Sequence, residues 1–294
     1  MVGKPDISRL RARADAYQQQ RPWLAFPLAV LVKFGEDSSG NLAVVITYYA
    51  FFSIFPLLLA LASISGFVLA GHPSWQMRVE NSAVSTLPLI KHSPLPHHGS
   101  VIAVVLGTVL ALYSGLGVAK AGETAWNAVY CVKRDERPNW LQTNLRALRT
   151  VLVGGLGLVV TTAIAGTVTS GHALGIPVGW GLTVVGVVLT AALNTAVFVV
   201  VFRWLTVRRL SVGDVLPGAA FAAMVLAVLQ ALSAAFISHK LRHASSTYGS
   251  FGTVIVLLSW IYLQAQVVLL AVQVNVVKQD RLWPRSIGGE TATR

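Results

Sequence analysis

The residues of this chain best suited to bind or pass something are amides, hydroxyls and phenols set inside apolar runs. In the run 251–277, Ser259, Tyr262, Gln266 and Gln273 fall on one face of a helix, and Trp260, Gln264 and Asn275 fall on another. Polar groups in a lipid-embedded helix turn toward the bundle or toward water. This helix therefore reads either as a central element with one face on a cavity or as one tied to its neighbours by hydrogen bonds. In the run 42–69, Tyr49, Ser53 and Pro56 share a narrow face with Ala60 and Ser63. Pro56 has no N–H to give, so it is expected to kink its helix and free a carbonyl near Ser53. The alternative is that these small and hydroxylated residues only let helices approach closely. Asn194, the one strongly polar residue deep in 178–202, is expected to hydrogen-bond to a neighbouring helix. Tyr49, Ser53, Pro56, Asn194, Ser259, Tyr262, Gln266 and Gln273 are thus the candidates for a substrate path.

Other groups suggest other chemistry. Glu123, Asn127 and Asp214 are polar candidates at the cytoplasmic edge, and Asp214 precedes Pro217-Gly218, where an acid and an early proline suit a helix start. None of the 11 Asp and Glu falls inside an apolar run, whereas an ion-driven pump keeps an acid near the midplane. His239 and His243 stand one turn apart, and His92, His97 and His98 cluster in one segment. Such a pair can share a metal or sense acid, but a third ligand has to come from elsewhere. No metal or cofactor is assigned, and His239 and His243 are kept as the candidate pair. Cys131 is the only cysteine, which excludes an intrachain disulfide and a Cys-based metal site. No Walker A sequence is present, so the chain is not expected to use ATP by itself.

Six apolar runs position these residues: 42–69, 101–119, 150–170, 178–202, 215–238 and 251–277. The chain has 294 residues, 54% hydrophobic and 12% charged, with mean hydropathy +0.65. Each run is long enough to cross a hydrocarbon core about 30 Å thick at about 1.5 Å per residue. The runs are continuous, not alternating, so they are helices and not barrel strands. The polar segments between them are sorted by side. Counted from the amino end, the first, third, fifth and last hold 19 of the 23 Lys and Arg, and the others hold all seven histidines. Basic residues resist translocation. The expected fold is all-α, a polytopic membrane protein with six transmembrane helices and both N- and C-termini cytoplasmic.

That sorting explains the net charge of +12. No basic segment is large enough for a nucleic-acid module, so no nucleic acid is expected. Membrane lipids, including anionic headgroups, are the expected partners, and a homo-oligomer is left open. Residues 1–41 read as a cytoplasmic arm in which Trp23 to Phe34 form an interfacial helix or one packed beneath the bundle. Residues 1–22 lack the apolar core of a signal peptide. Residues 42–277 form the membrane domain, and 278–294 read as a disordered cytoplasmic tail. Gly107, Ala111 and Gly115, and then Gly154, Gly155, Gly157 and Gly166, read as close-packing seams. The short connection 171–177 makes the third and fourth spans antiparallel neighbours.

Five stretches carry a resemblance: Thr47-Tyr48-Tyr49-Ala50-Phe51-Phe52-Ser53-Ile54-Phe55-Pro56, Ala125-Trp126-Asn127-Ala128-Val129-Tyr130, Pro217-Gly218, Tyr248-Gly249-Ser250-Phe251-Gly252 and Trp260-Ile261-Tyr262-Leu263. Together they resemble the YihY/BrkB family of bacterial inner-membrane proteins, nearest its YhjD-like branch, over most of the chain. The resemblance implies a multi-pass protein of the cytoplasmic membrane that transports or exports a lipid-like or amphipathic envelope solute. A non-transport scaffold for envelope assembly is the alternative, since glycine seams and a basic face fit it equally. An older family label, ribonuclease BN, would need a metal or a His acid–base pair facing RNA. The histidines lie on the opposite expected face, so neither that activity nor any other enzyme activity is expected. Where the family pattern near the end of the last helix usually reads Gly-Ala-Glu, this chain has Ala271-Val272-Gln273. That change removes an ionisable group from that place.

Overall fold

The computed structural model describes residues 21–69, 101–173, 180–248 and 250–284. Among them are seven α-helices, one 3₁₀ turn and no strand. The helices are α1 (Pro22–Glu36), α2 (Ser39–Leu69), α3 (Val101–Val129), α4 (Trp140–Ala173), α5 (Trp180–Trp204), α6 (Val212–Tyr248) and α7 (Ser250–Gln279). Six of them, α2 to α7, are long and apolar enough to cross a membrane, over Ser39–Leu61, Val104–Val129, Trp140–Ile164, Val184–Trp204, Val212–Leu232 and Val254–Gln279. The all-α, six-span expectation holds. The span bounds differ from the expected ones, and two of the shifts take in acids. The span on α3 continues past 119 to take in Glu123, and the span on α6 starts early enough to take in Asp214. An acid therefore does lie within a span, and Glu123 is buried. Charge ended the apolar run in the sequence, but a helix continues through a charge that tertiary packing covers.

The chain divides into two compact units, one of Met1–Thr47 with Ala119–Arg294 and one of Tyr48–Val118. In the larger unit α7 packs on α6 and on α1, α6 on α5, and α5 on α4. Its buried apolar cluster gathers at the ends of α3, α5 and α7 and the start of α6, around Val129, Phe202, Val215, Leu269, Val272 and Val276. Away from that end the helices expose apolar side chains, such as Leu156 (65% exposed) on α4 and Val187 (64%) on α5. Contiguous apolar surface of this kind is costly in water and costs nothing against lipid tails.

In lipid, no hydrophobic force presses helices together, so contact rests on close approach of small residues. A Cβ on Gly157 would lie 2.5 Å from Val197 Cγ2, which sets α4 against α5. Gly154 and Gly155, expected in the same seam, face open space instead. Sequence spacing shows which residues are small but not which face meets a neighbour. The tightest approach is at Gly218 on α6, where a Cβ would stand 2.1 Å from the Ala271 carbonyl oxygen of α7.

In the smaller unit, a Cβ on Gly107 would meet Ala60 Cα at 3.0 Å, and one on Gly117 would meet Tyr49 Cδ1 at 2.8 Å. The two pairs run in opposite directions, so these parts of α2 and α3 are antiparallel. Of the expected Gly107, Ala111 and Gly115 seam, Gly107 makes such a contact, and Gly117 makes one that was not expected. Pro56 lies inside α2, which continues to Leu69.

α1 lays Ala29 and Val30 against Val277 of α7 and leaves Trp23 and Leu31 exposed. It is packed against the bundle while presenting an apolar outer ridge. Leu282 and Trp283 pack on the same cluster, with the Trp283 ring edge-on to Phe26 at 5.3 Å. Residues 278–284 are thus ordered, where a disordered tail from 278 was expected. The rest of that tail, the arm 1–20, and the segments 70–100 and 174–179 lie outside the described residues.

α6 begins with a reciprocal cap. Asp214 Oδ2 accepts from the Ser211 N–H at 2.8 Å and from Ser211 Oγ at 2.7 Å, and the Asp214 N–H points back to Ser211 Oγ at 3.3 Å. Ser and an acid three residues on are the capping-box pattern, which satisfies amides that a helix start leaves open. Ser211→Ala is expected to cost about 1 kcal/mol, read as a lowered thermal midpoint of the detergent-solubilised protein. An unchanged midpoint would show that the cap contributes nothing.

Candidate functional site

Polar side chains of the larger unit collect at the end where its core is buried. The centre is a node built from three helices. Asp37, in the turn after α1, accepts from Lys33 one helical turn earlier and from Gln273 Nε2 of α7 at 2.8 Å, both on Oδ2. The same Gln273 nitrogen lies 3.0 Å from Ser39 Oγ, at the start of α2. The Lys33 and Asp37 side chains are only 8% and 14% exposed, and Gln273 and Ser39 are fully buried. The backbone reverses at Ser38, whose φ of 50° is left-handed. A buried ion pair holds only with further hydrogen bonding, and here the Gln273 amide adds a second donor to the same carboxylate oxygen.

Beside this node a cavity of about 440 Å³ is lined by Lys33, Glu36, Asp37, Tyr130, Arg208 and Asp280, among others. Arg208 forms a two-pronged pair with Asp280, at 3.2 and 3.4 Å, and its guanidinium carbon stands 6.0 Å from the centre of the Tyr130 ring. Burial pushes the Tyr130 phenol above its ordinary pKa, and Arg208 only partly opposes this. The phenol is therefore neutral at physiological pH, and its buried oxygen has no hydrogen-bond partner among the described residues.

Three further contacts frame this end. Asn127 Oδ1 accepts from the Val207 N–H at 3.1 Å and from Thr206 Oγ1 at 3.3 Å, which fastens the α5–α6 connection to α3. Glu123 is buried, with Arg146 Nη1 3.7 Å from its Oε1. On α6 the Gly218 N–H donates to Asn275 Oδ1 of α7 at 2.7 Å.

The expected path residues distribute as follows. Gln273 is a packing amide, fully buried and engaged with Asp37 and Ser39, and not a free wall of a groove. Gln266 and Tyr262 are half-buried on α7, and Ser259 is exposed, with its hydroxyl donated to the Ile255 carbonyl at 2.8 Å. Asn194 is half-buried on α5, and no hydrogen bond of its side chain to a neighbouring helix is found among the described residues, where one was expected. In the smaller unit Tyr49 is exposed and Pro56 half-buried, and Ser53 Oγ donates to the Ala50 carbonyl at 2.7 Å. Asp214 is taken up by the α6 cap, as its helix-start role predicts. The side chains of His239 and His243 lie outside those described. Among the described residues no three His, Cys, Asp or Glu gather as a metal would require.

Sequence reasoning missed Lys33, Asp37 and Arg208. Lys33 and Asp37 one turn apart were a legible local signal, but their tie to Gln273 spans 236 residues.

A family model described as "Virulence factor BrkB" matches residues 30–293. A Bacillus subtilis protein named ribonuclease-like protein YfkH is 26% identical over 84% of this chain and 91% of its own length. A UPF0761 membrane protein of Pseudomonas aeruginosa is 24% identical over 86% of this chain. This chain spans 62% of that relative's length. No solved structure matches.

Proposed function

The chain belongs to the virulence factor BrkB family, and from that premise we propose that it is a multi-pass protein of the bacterial cytoplasmic membrane that transfers a lipid-like or amphipathic envelope solute. One observation carries the reading. Within the larger unit the flanks are apolar, while one end holds a concave surface lined by Lys33, Asp37, Tyr130, Arg208 and Asp280. An amphipathic solute needs both surfaces side by side, whereas a scaffold needs no cavity. The charge sorting assigns that end, and both termini, to the cytoplasm. Ser259, Tyr262 and Gln266 follow one another along α7 and form the polar track for the headgroup, while Tyr49, Ser53 and Pro56 are the corresponding candidates on α2. No enzymatic step is assigned, and the ribonuclease-like name of one relative stays with that relative.

Reconstitution tests this. Proteoliposomes carrying the full chain are expected to exchange fluorescent phospholipid between leaflets faster than empty liposomes. Gln266→Ala is expected to slow the exchange severalfold without lowering the thermal midpoint. An absence of transfer across a panel of bacterial lipids, with the protein folded, would leave the scaffold reading standing.

A further inference from the structure

A second cavity in the larger unit, of about 460 Å³, is lined by Arg146, Arg149, Arg203, Arg208 and Arg209, with Trp204 and Thr206 beside them and no acidic side chain. Two of these arginines come from α4, and the others from the end of α5 and the connection to α6. Like charges gathered this closely repel one another, so the question is what offsets them. Arg208 is matched by Asp280. Arg146 has Glu123 only at 3.7 Å, and its Nη1 is buried without a hydrogen-bond partner. Arg203 donates Nε to the Leu210 carbonyl at 2.9 Å, which holds the guanidinium in place. Arg149 and Arg209 are exposed, and no partner of either is found among the described residues.

We propose that this cavity is a binding site for the phosphate ester of an anionic glycerophospholipid headgroup. Guanidinium forks match phosphate oxygens in pairs, and an anchored fork loses little freedom on binding. Both a lipid headgroup and a free phosphate offer this chemistry, and the surroundings favour the lipid. The cavity sits where the spans Trp140–Ile164 and Val184–Trp204 end or begin. Trp204, partly exposed at its edge, is of the type enriched at the bilayer interface. On α4, running from the arginines toward the middle of the span, Leu148, Leu152, Leu156 and Val159 are all exposed. Their spacing places them on one face, with Arg149 beside it. A lipid held here sets its phosphate among the arginines and its acyl chains along those apolar side chains. The site requires the spans to lie in a bilayer, but it does not require transport.

The test is lipid retention by the full chain, read by native mass spectrometry after exchange into nanodiscs mixing phosphatidylglycerol with phosphatidylcholine. Wild-type protein is expected to keep phosphatidylglycerol in preference, and Arg149→Gln with Arg209→Gln to reduce that preference about tenfold. Lys133→Gln with Arg134→Gln, an exposed basic pair outside the cavity, is the control and is expected to leave it unchanged. Thermal midpoints of the variants establish that they fold, and Arg149→Lys, which keeps charge but loses the fork, is expected to fall between. Equal retention of both lipids overturns the proposal. Equal loss in the control pair also overturns it, because diffuse surface charge would then suffice. Displacement of the lipid by inorganic phosphate, by glycerol phosphate or by a short RNA at comparable concentration overturns the lipid assignment. Because retention is read without transfer, it can fail while lipid exchange succeeds, or the reverse.

Discussion

Replacing Gly218 with alanine is expected to be the most damaging single-methyl change in the protein. The added carbon would lie 2.1 Å from the Ala271 carbonyl oxygen, 2.5 Å from Asn275 Oδ1 and 2.6 Å from Asn275 Cγ. The first of these is α7 backbone, which cannot move without shifting the helix. Moving α7 away also breaks the bond from the Gly218 N–H to Asn275 Oδ1, which is fully buried. Overpacking and an orphaned buried amide together are expected to cost about 3 kcal/mol or more. The measurement is the thermal midpoint and the monodisperse yield in detergent. Gly155→Ala is the matched control, since nothing lies within 4 Å of a Cβ there. It is expected to be neutral or to stabilise α4 slightly through helix propensity. Asn275→Ala combined with Gly218→Ala is expected to recover little, because the Ala271 contact remains. Equal tolerance of alanine at 218 and 155 would overturn this account of the α6–α7 contact.

Gln273→Glu is expected to be nearly as costly, although the resemblance implies an acid at that position in the family. The Gln273 amide donates to Asp37 Oδ2 at 2.8 Å in a fully buried position. A carboxylate there loses that donor and sets a second anion against Asp37, with Lys33 the cation on the same oxygen. A buried charge without its own partner costs about 3 kcal/mol or more. Asp37→Asn alone is expected to cost a similar amount by leaving buried Lys33 without its anion. Combined, the two substitutions exchange the positions of carboxylate and amide, and Lys33 regains one anion. The double variant is expected to recover most of the lost stability, in a double-mutant cycle read by thermal unfolding. Simple additivity of the two losses would show that the groups do not act as one node.

What the chain alone determines is what depends on neighbours in sequence. Apolar length sets the six spans, because crossing hydrocarbon is a property of a continuous segment. The Ser211–Asp214 cap is local hydrogen bonding, and the helix expected over Trp23 to Phe34 lies within α1. Tertiary structure decided everything that needed a facing helix. Gly157 became a contact and Gly154 and Gly155 did not, because 3.6-residue periodicity leaves open which face is covered. Gln273 turned from a pore candidate into a packing amide, because its partners sit at the opposite end of the chain. Arginines that read only as topological charge became the wall of a cavity, because α4 and the α5–α6 connection meet there. In lipid the apolar pattern says which segments are embedded but not how they pair, so the polar contacts between helices are the part only the fold could reveal.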